Sequence, residues 1–225
     1  MLQARQTESP EAARALEELC EVYWFPVYAF IRRQTSQPEE SQDLTQAFFV
    51  HVLSRSFLKD VDERNGKFRS WLLASVRNFL SNEADRAAAV KRGGRIQFRS
   101  LDWHSGEQRF QQAVSEAPSA ERLFERQWSL VLLAEVLKRL GQEMKSSDQS
   151  AVFDALSDCL TTDRDSFRYD HAAQQLGVSI ETARTAAHRL RKRYRQLLRA
   201  EIRETVSSEA EVDDEVQRLF RSLTG

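Results

Sequence analysis

Cysteine is nearly absent from this chain. Cys20 and Cys159 stand alone and neither belongs to a CxxC pair, so a disulfide framework and a cysteine zinc site both lack support, and two isolated core thiols are expected. Long apolar runs are missing as well. The most hydrophobic stretch, Leu130 to Leu137, is broken by Glu135 and falls short of the roughly 20 residues a membrane helix needs. Membrane insertion is therefore not expected. The opening MLQARQTESPEAARALEELCEVYW alternates charge with alanine and has no continuous apolar segment before a small-residue cleavage site, which points to a cytoplasmic location. Glycine (7) and proline (4) are few among 225 residues and no period-two alternation is sustained, so the expected fold class is all-α. Catalytic constellations are missing too. His51, His104, His171 and His188 have no HExxH spacing, and neither a glycine-rich phosphate loop nor a GxSxG elbow occurs. The chain reads as no enzyme, with no cofactor and no metal. The acids of Asp60 to Arg64 read as a polar turn rather than a metal site.

What is present is apolar material for real cores, 41% of residues, and 30% charged residues, a balance that suits a globular chain of two small domains. The net charge of -1, from 33 basic and 34 acidic residues, conceals an uneven distribution. Arg86, Lys91, Arg92, Arg95 and Arg99 follow one another with no acid between Asp85 and Asp102. A stronger cluster holds Arg184, Arg189, Arg191, Lys192, Arg193, Arg195, Arg199 and Arg203 against Glu201 alone. The balancing acids include Glu204, Glu209, Glu211, Asp213, Asp214 and Glu215. Two local positive fields are candidate polyanion-binding surfaces.

Helical spacing organises the chain. Leu16, Leu19, Cys20, Tyr23, Val27, Phe30 and Ile31 form one stripe over about Pro10 to Gln34, with Pro26 as a candidate kink or divide. Ser36, Pro38, Glu39 and Glu40 have the chemistry of a helix start, and that helix should reach about Arg55. A polar turn over Asp60 to Gly66 precedes a third helix, Phe68 to about Val90, ended by Gly93 and Gly94. Periodicity fades from Ile96 to Ser119, where Gly106 and Pro118 punctuate a polar stretch. A flexible interdomain linker is the expectation there, with Trp103 as a candidate anchor. The second domain begins near Ala120 with Leu123, Phe124, Trp128, Val131, Leu132, Val136 and Leu137.

The most informative segment is YDHAAQQLGVSIETARTAAHRLRKRYRQLL, Tyr169 to Leu198. Ala172, Ala173 and Leu176 give a short helix, Gly177 a turn, and Ser179 a cap for a second helix with Ala183, Ala187, Leu190, Tyr194, Leu197 and Leu198 on its apolar stripe. Arg184, His188, Arg191, Arg195 and Arg199 share the opposite face. A one-signed basic face beside a tight glycine turn suits a helix in the DNA major groove, although a solvated face has the same pattern.

These residues resemble the extracytoplasmic-function (ECF) type of bacterial RNA polymerase sigma factor. Its region 4 pattern is matched by His171, Ala172, Ala173, Leu176, Gly177, Thr182, Ala183, Arg184 and Arg189, with alanines and a histidine as departures. The resemblance implies that Ser179, Thr182, Arg184, Thr185, His188, Arg189, Arg191 and Lys192 read a minus-thirty-five promoter element, beside the polymerase beta flap. Its region 2 pattern is matched by Asp43, Leu44, Gln46 and Phe49, where Leu44, Phe48 and Val52 share one helix face and Asp43, Gln46, Phe49 and Leu53 another. The second face mixes polar and apolar groups as a protein interface does. The resemblance makes Asp43, Leu44, Gln46, Phe49 and Leu53 contacts to the beta-prime clamp helices of core RNA polymerase. Burial of Phe49 is the competing reading.

The string FRSWLLASVRNFLSNEADR also resembles the family, through Phe68, Arg69, Trp71, Leu72, Arg77, Asn78 and Arg86. In the family this helix and the loop before it hold the unpaired minus-ten strand. Arg64, Asn65, Lys67, Asn78, Arg86, Lys91 and Arg92 supply suitable donors. Trp71 reads as core rather than as a base-stacking platform, and Asn78 reads equally as a cap-like residue.

The expected organisation is region 2 over 10–96, a linker over 97–119, region 4 over 120–203 and an acidic extension over 204–225. The implied partners are core polymerase, promoter DNA and an anti-sigma factor or other regulator. Two rivals stay open: a stand-alone helix-turn-helix regulator that never engages polymerase, and a sigma-like interaction module. Val212, Val216, Leu219, Phe220 and Leu223 predict a short helix in the extension. Its acids can fold over the basic recognition helix, its apolar stripe can bind a regulator, or it is simply solvated. Ser146 to Arg168 gives no functional signal.

Overall fold

The computed structural model describes residues 10–53, 67–89, 101–162 and 166–224. Among them every regular element is helical and none is a strand. The helices are α1 (Pro10–Arg32), α2 (Pro38–Leu53), α3 (Phe68–Ala89), α4 (Trp103–Ala113), α5 (Ala120–Ser146), α6 (Ser150–Leu156), α7 (Tyr169–Leu176), α8 (Ile180–Arg203) and α9 (Ala210–Thr224). Short 3₁₀ turns, Val114–Glu116 and Ser157–Leu160, follow α4 and α6. The expected turn over 60–66 and the stop at Gly93 and Gly94 lie outside the described residues.

Two compact units are present, one of Met1–Val131 with Arg203–Gly225, the other of Leu132–Ile202. This division departs from the expected boundaries, because the linker segment, the first half of α5 and the acidic extension all belong to the first unit. The reasons are visible in its packing.

In the first unit α1 runs unbroken through Pro26. It is buried on all sides from Phe25 to Ile31, as a helix between two apolar clusters must be. On one side lie Phe48, Phe49 and Val52 of α2, Leu72, Val76 and Phe79 of α3, and Phe124 and Trp128 of α5. Tyr23 stacks on Trp128 at a centroid distance of 3.9 Å, and contacts of this kind contribute about 0.5–1.5 kcal/mol beyond their buried area. That stacking places the start of α5 in this core. On the other side Phe25, Tyr28 and Ala29 meet Phe110, Ala113, Ala117 and Leu123, with Trp24 and Trp103 against them.

The segment read as a linker is therefore partly helix. A Cβ on Gly106 would lie 2.6 Å from the Trp24 ring, so this glycine marks a close helix approach rather than flexibility. Glu107 completes the joint: it accepts from Tyr28 Oη at 2.6 Å and from Arg32 Nε at 3.0 Å. Burial alone would raise the Glu107 carboxyl pKa, but the hydrogen bonds from Tyr28, Arg32 and Gln111 outweigh it and hold the group below its ordinary value. Burial and the adjacent Glu107 push the Tyr28 phenol well upward.

The acidic extension also packs. Val212, Glu215 and Leu219 of α9 are buried. The Phe68 N–H, one of the donors that a helix start leaves without an intrahelical partner, donates to the Thr205 carbonyl at 2.9 Å. Arg69 donates from Nε to Glu215 at 2.8 Å and from Nη1 to Glu125 at 2.8 Å. Burial works against the Glu215 carboxylate, yet Arg69 and Lys67 keep its pKa below the usual value. Breaking a buried pair of this kind by removing one partner costs about 3–5 kcal/mol, so α9 is a fixed part of the first unit.

The second unit buries Leu132, Val136, Leu140, Leu156, Cys159, Ala172, Ala173, Ala183, Ala187 and Leu190. Cys20 and Cys159 are both buried, and neither is in a disulfide.

Candidate nucleic-acid interface

The α7 to α8 connection is built by local chemistry. Gly177 adopts φ 66° and ψ 30°; its N–H bonds the Gln174 carbonyl and that of Val178 the Ala173 carbonyl, a Schellman closure. Nothing lies within 4 Å of a Cβ built on Gly177, so left-handed backbone rather than space demands glycine there. Ser179 Oγ then accepts from the Thr182 N–H at 3.2 Å and caps α8. Its hydroxyl also meets that of Thr182 at 2.9 Å.

From this start α8 turns Ala183, Ala187 and Leu190 inward and leaves Ser179, Thr182, Arg184, Thr185, His188, Arg189 and Lys192 exposed on the surface. Seven of the eight residues expected to read the minus-thirty-five element are thus accessible. Arg191 is the correction. It is half-buried, donating from Nε to the Cys159 carbonyl at 3.2 Å and from Nη1 to Tyr169 Oη at 2.8 Å. Those bonds make it a tie between α8 and the segment 146–168, which had offered no functional signal. Arg193 is likewise engaged, with Glu143 at 2.8 Å; the Arg193 hydrogen bond holds the Glu143 carboxyl below its ordinary pKa.

Beside the basic face opens a cleft of about 640 Å³, with Phe167, Tyr169, Arg168, Arg184, His188 and Arg191 in its lining. The Arg184 guanidinium lies over the Tyr169 ring at 5.7 Å. Arg168 is paired with Asp170 at 2.8 Å and lowers the carboxyl pKa of that aspartate. Cations on an aromatic wall are groups that hold phosphate and stack on bases. Sequence reasoning passed over Phe167 and Tyr169; two aromatics flanking an arginine just before a predicted helix-turn-helix were the available signal.

In the first unit, Asp43 is exposed and Gln46 half-buried, whereas Phe49 is sealed at 1% exposure. Leu44 packs against the core from its edge. Phe49 is therefore no exposed anchor. The buried stripe runs Ser41, Thr45, Phe48, Phe49, Val52, and the two hydroxyls are accommodated because Ser41 Oγ donates to the Gln37 carbonyl and Thr45 Oγ1 to that of Ser41. The Leu53 side chain lies outside the described residues.

Among the residues expected to meet the minus-ten strand, Asn78 is exposed on α3 and Lys67 pairs with Glu215 at 3.1 Å. Trp71 is half-buried against the core and stacks with Phe68 at 5.4 Å, in keeping with its reading as core. Arg64, Asn65, Lys91, Arg92 and the Arg86 side chain lie outside the described residues. Among the described residues no cluster of histidine, cysteine and acids suits a metal ion. No helix there is long and apolar enough to cross a membrane.

Fold and surface together define an all-helical protein of two units, the second presenting a basic helix after a glycine turn. Over 202 residues the chain is 23% identical to the ECF RNA polymerase sigma factor SigE of Mycolicibacterium smegmatis, a match covering 90% of this chain and 68% of that protein. No family model matches the chain, and no solved structure matches it.

Proposed function

We propose that this protein is a sigma factor of the ECF type, a non-enzymatic transcription factor that binds core RNA polymerase in the cytoplasm and directs it to promoters. The observation that carries the reading is the exposed basic face of α8, Arg184, His188, Arg189 and Lys192 behind a capped glycine turn, in a chain similar along 90% of its length to a sigma factor. In this reading α7 and α8 form the helix-turn-helix that docks on the minus-thirty-five duplex, with base edges read from the first turns of α8 and phosphates held by its cations. The first unit engages polymerase and the minus-ten strand. Asp43 and Gln46 are the polar pins toward the beta-prime clamp helices, and Phe49 supports them from inside α2. Asn78 on α3 faces the unpaired strand.

The test is a pull-down with bacterial core polymerase, followed by run-off transcription from candidate promoters. The double variant Asp43→Ala with Gln46→Ala should lose polymerase while keeping its helicity and its duplex binding. A wild-type chain that binds duplex DNA but never polymerase would reject the proposal in favour of a stand-alone regulator.

A further inference from the structure

Lys67 stands at the entrance to α3 with its ammonium 3.1 Å from Glu215 Oε2. The other oxygen of that carboxylate accepts from Arg69 Nε at 2.8 Å. Lys67 keeps 18% of its side-chain surface and Glu215 8%, so this pair is largely withdrawn from water, where charges interact strongly and salt screens them little. The helix that brings Glu215 is held at several further points. Thr205 accepts from the Phe68 N–H, the Leu223 carbonyl from Arg126 at 2.8 Å, Ser222 and Ser129 share a hydrogen bond of 2.7 Å, and Val212 and Leu219 are buried. Glu215 therefore belongs to the resting state of the first unit. An ammonium matched at contact distance by a covered carboxylate presents a dipole, not a net charge, to an approaching polyanion.

We propose that Glu215 masks Lys67: the C-terminal helix carries a resident anion that neutralises a cation of the first unit, so that single-stranded DNA meets one positive charge fewer than the unit's other helices supply. The restraint acts on Lys67 at the start of α3. The biological setting, a promoter strand, rests on the sigma-factor reading; the masking itself is a property of the free chain. Glu215→Gln isolates it chemically. The amide oxygen still accepts from Arg69, while the amide NH2 and the lysine ammonium are both donors and cannot pair.

The experiment titrates a fluorescent single-stranded oligonucleotide with the full chain, without polymerase, at several salt concentrations. Each phosphate newly neutralised by a cation steepens the dependence of log K on log salt by about 0.7 for single strands. Glu215→Gln should steepen the slope by that amount and tighten binding about fivefold near 0.1 M salt. Lys67→Gln should leave the slope of the otherwise unchanged chain where it was, and in the Glu215→Gln background should remove the whole increment. The proposal is overturned by an unchanged slope in Glu215→Gln, by absence of strand binding in that variant, or by a slope about 0.7 shallower in Lys67→Gln alone. That last outcome would mean that the lysine contacts the strand while paired. Should Glu215→Gln lose its helicity, Lys67→Gln alone decides by the same criterion. Polymerase capture is scored separately: capture with unmoved slopes sinks the masking alone, and the expected slopes without capture sink the sigma-factor reading alone.

Discussion

Arg189 and Arg191 lie two positions apart on α8 and face different surroundings. Arg189 is exposed, whereas Arg191 binds the Cys159 carbonyl and the Tyr169 hydroxyl. Arg191→Ala leaves those acceptors without their charged donor, and hydrogen bonds to charged groups are worth about 1.5–3 kcal/mol each. We expect it to lower the denaturant midpoint of the second unit by a few kcal/mol equivalent, with duplex affinity falling only as folded protein is lost. Arg189→Ala and Lys192→Ala should do the opposite: no change in midpoint, but a salt slope for duplex binding shallower by about 0.9 for each phosphate contact removed. Anisotropy titrations across salt, set against urea melts, separate the two, and equal slopes in all three variants would refute the assignment. The sequence carried the i, i+3, i+4 basic pattern but not which arginine turns inward, because that depends on Tyr169 and Cys159 arriving from elsewhere in the chain. Phe49 is the same lesson reversed. Its face was misassigned because Ser41 and Thr45 look polar in sequence, yet satisfy themselves by bonding back to their own helix.

At the scale of elements, the long amphipathic helices and the glycine turn were legible since their signals are local: apolar spacing, Pro38 with Glu39 and Glu40 in the first turn, Gly177. α4 was not. Its stretch reads as polar, and its place is fixed by partners roughly eighty residues earlier, Trp24 against Gly106 and Tyr28 and Arg32 on Glu107. This makes Gly106→Ala a sharp probe of the joint between α1 and α4. Alanine is the better helix former by about 1 kcal/mol, so a linker segment would be stabilised; at 2.6 Å from Trp24 the new methyl forces repacking that costs about 1–3 kcal/mol. A lowered melting temperature with a shifted tryptophan emission is expected, and a raised one would mean that the two helices do not meet. The same joint sets a pH dependence. Glu107 is held below its ordinary pKa, so its contribution is fully present above the unfolded carboxyl value of about 4.3 and is lost as pH falls through the folded value. Glu107→Gln should flatten that acid limb of the stability curve and leave its shape near neutrality unaltered, which melts at a series of pH values would record.

For the whole molecule, the decisive placement is that of the C-terminal segment. From its sequence the extension reads as an acidic tail whose charge can fall on the recognition helix, on a regulator or on solvent, because nothing local tells an acid bound for a buried arginine from one bound for water. Arg69, 146 residues away, is what selects Glu215. All four tryptophans, Trp24, Trp71, Trp103 and Trp128, lie in the first unit, so tryptophan emission follows that unit, while under the proposed function binding to a promoter duplex reports on the second. Truncation after Arg203 should therefore separate the two signals. It strips Glu215 from Arg69, which keeps Glu125, and the Thr205 carbonyl from the start of α3, and the emission-monitored stability should drop by about 1–3 kcal/mol, the cost of leaving a buried polar group short of a partner. Duplex affinity and its salt slope should stay at their full-length values, because the acids of the extension pair with Lys67, Arg69 and, in the last turn of α8, Arg203, while Arg184, Arg189 and Lys192 nearer its start stay exposed. If the truncated chain instead binds duplex more tightly and with a steeper slope while its emission melt is unmoved, the acids restrain the recognition helix and the docking of α9 on the first unit has no energetic weight.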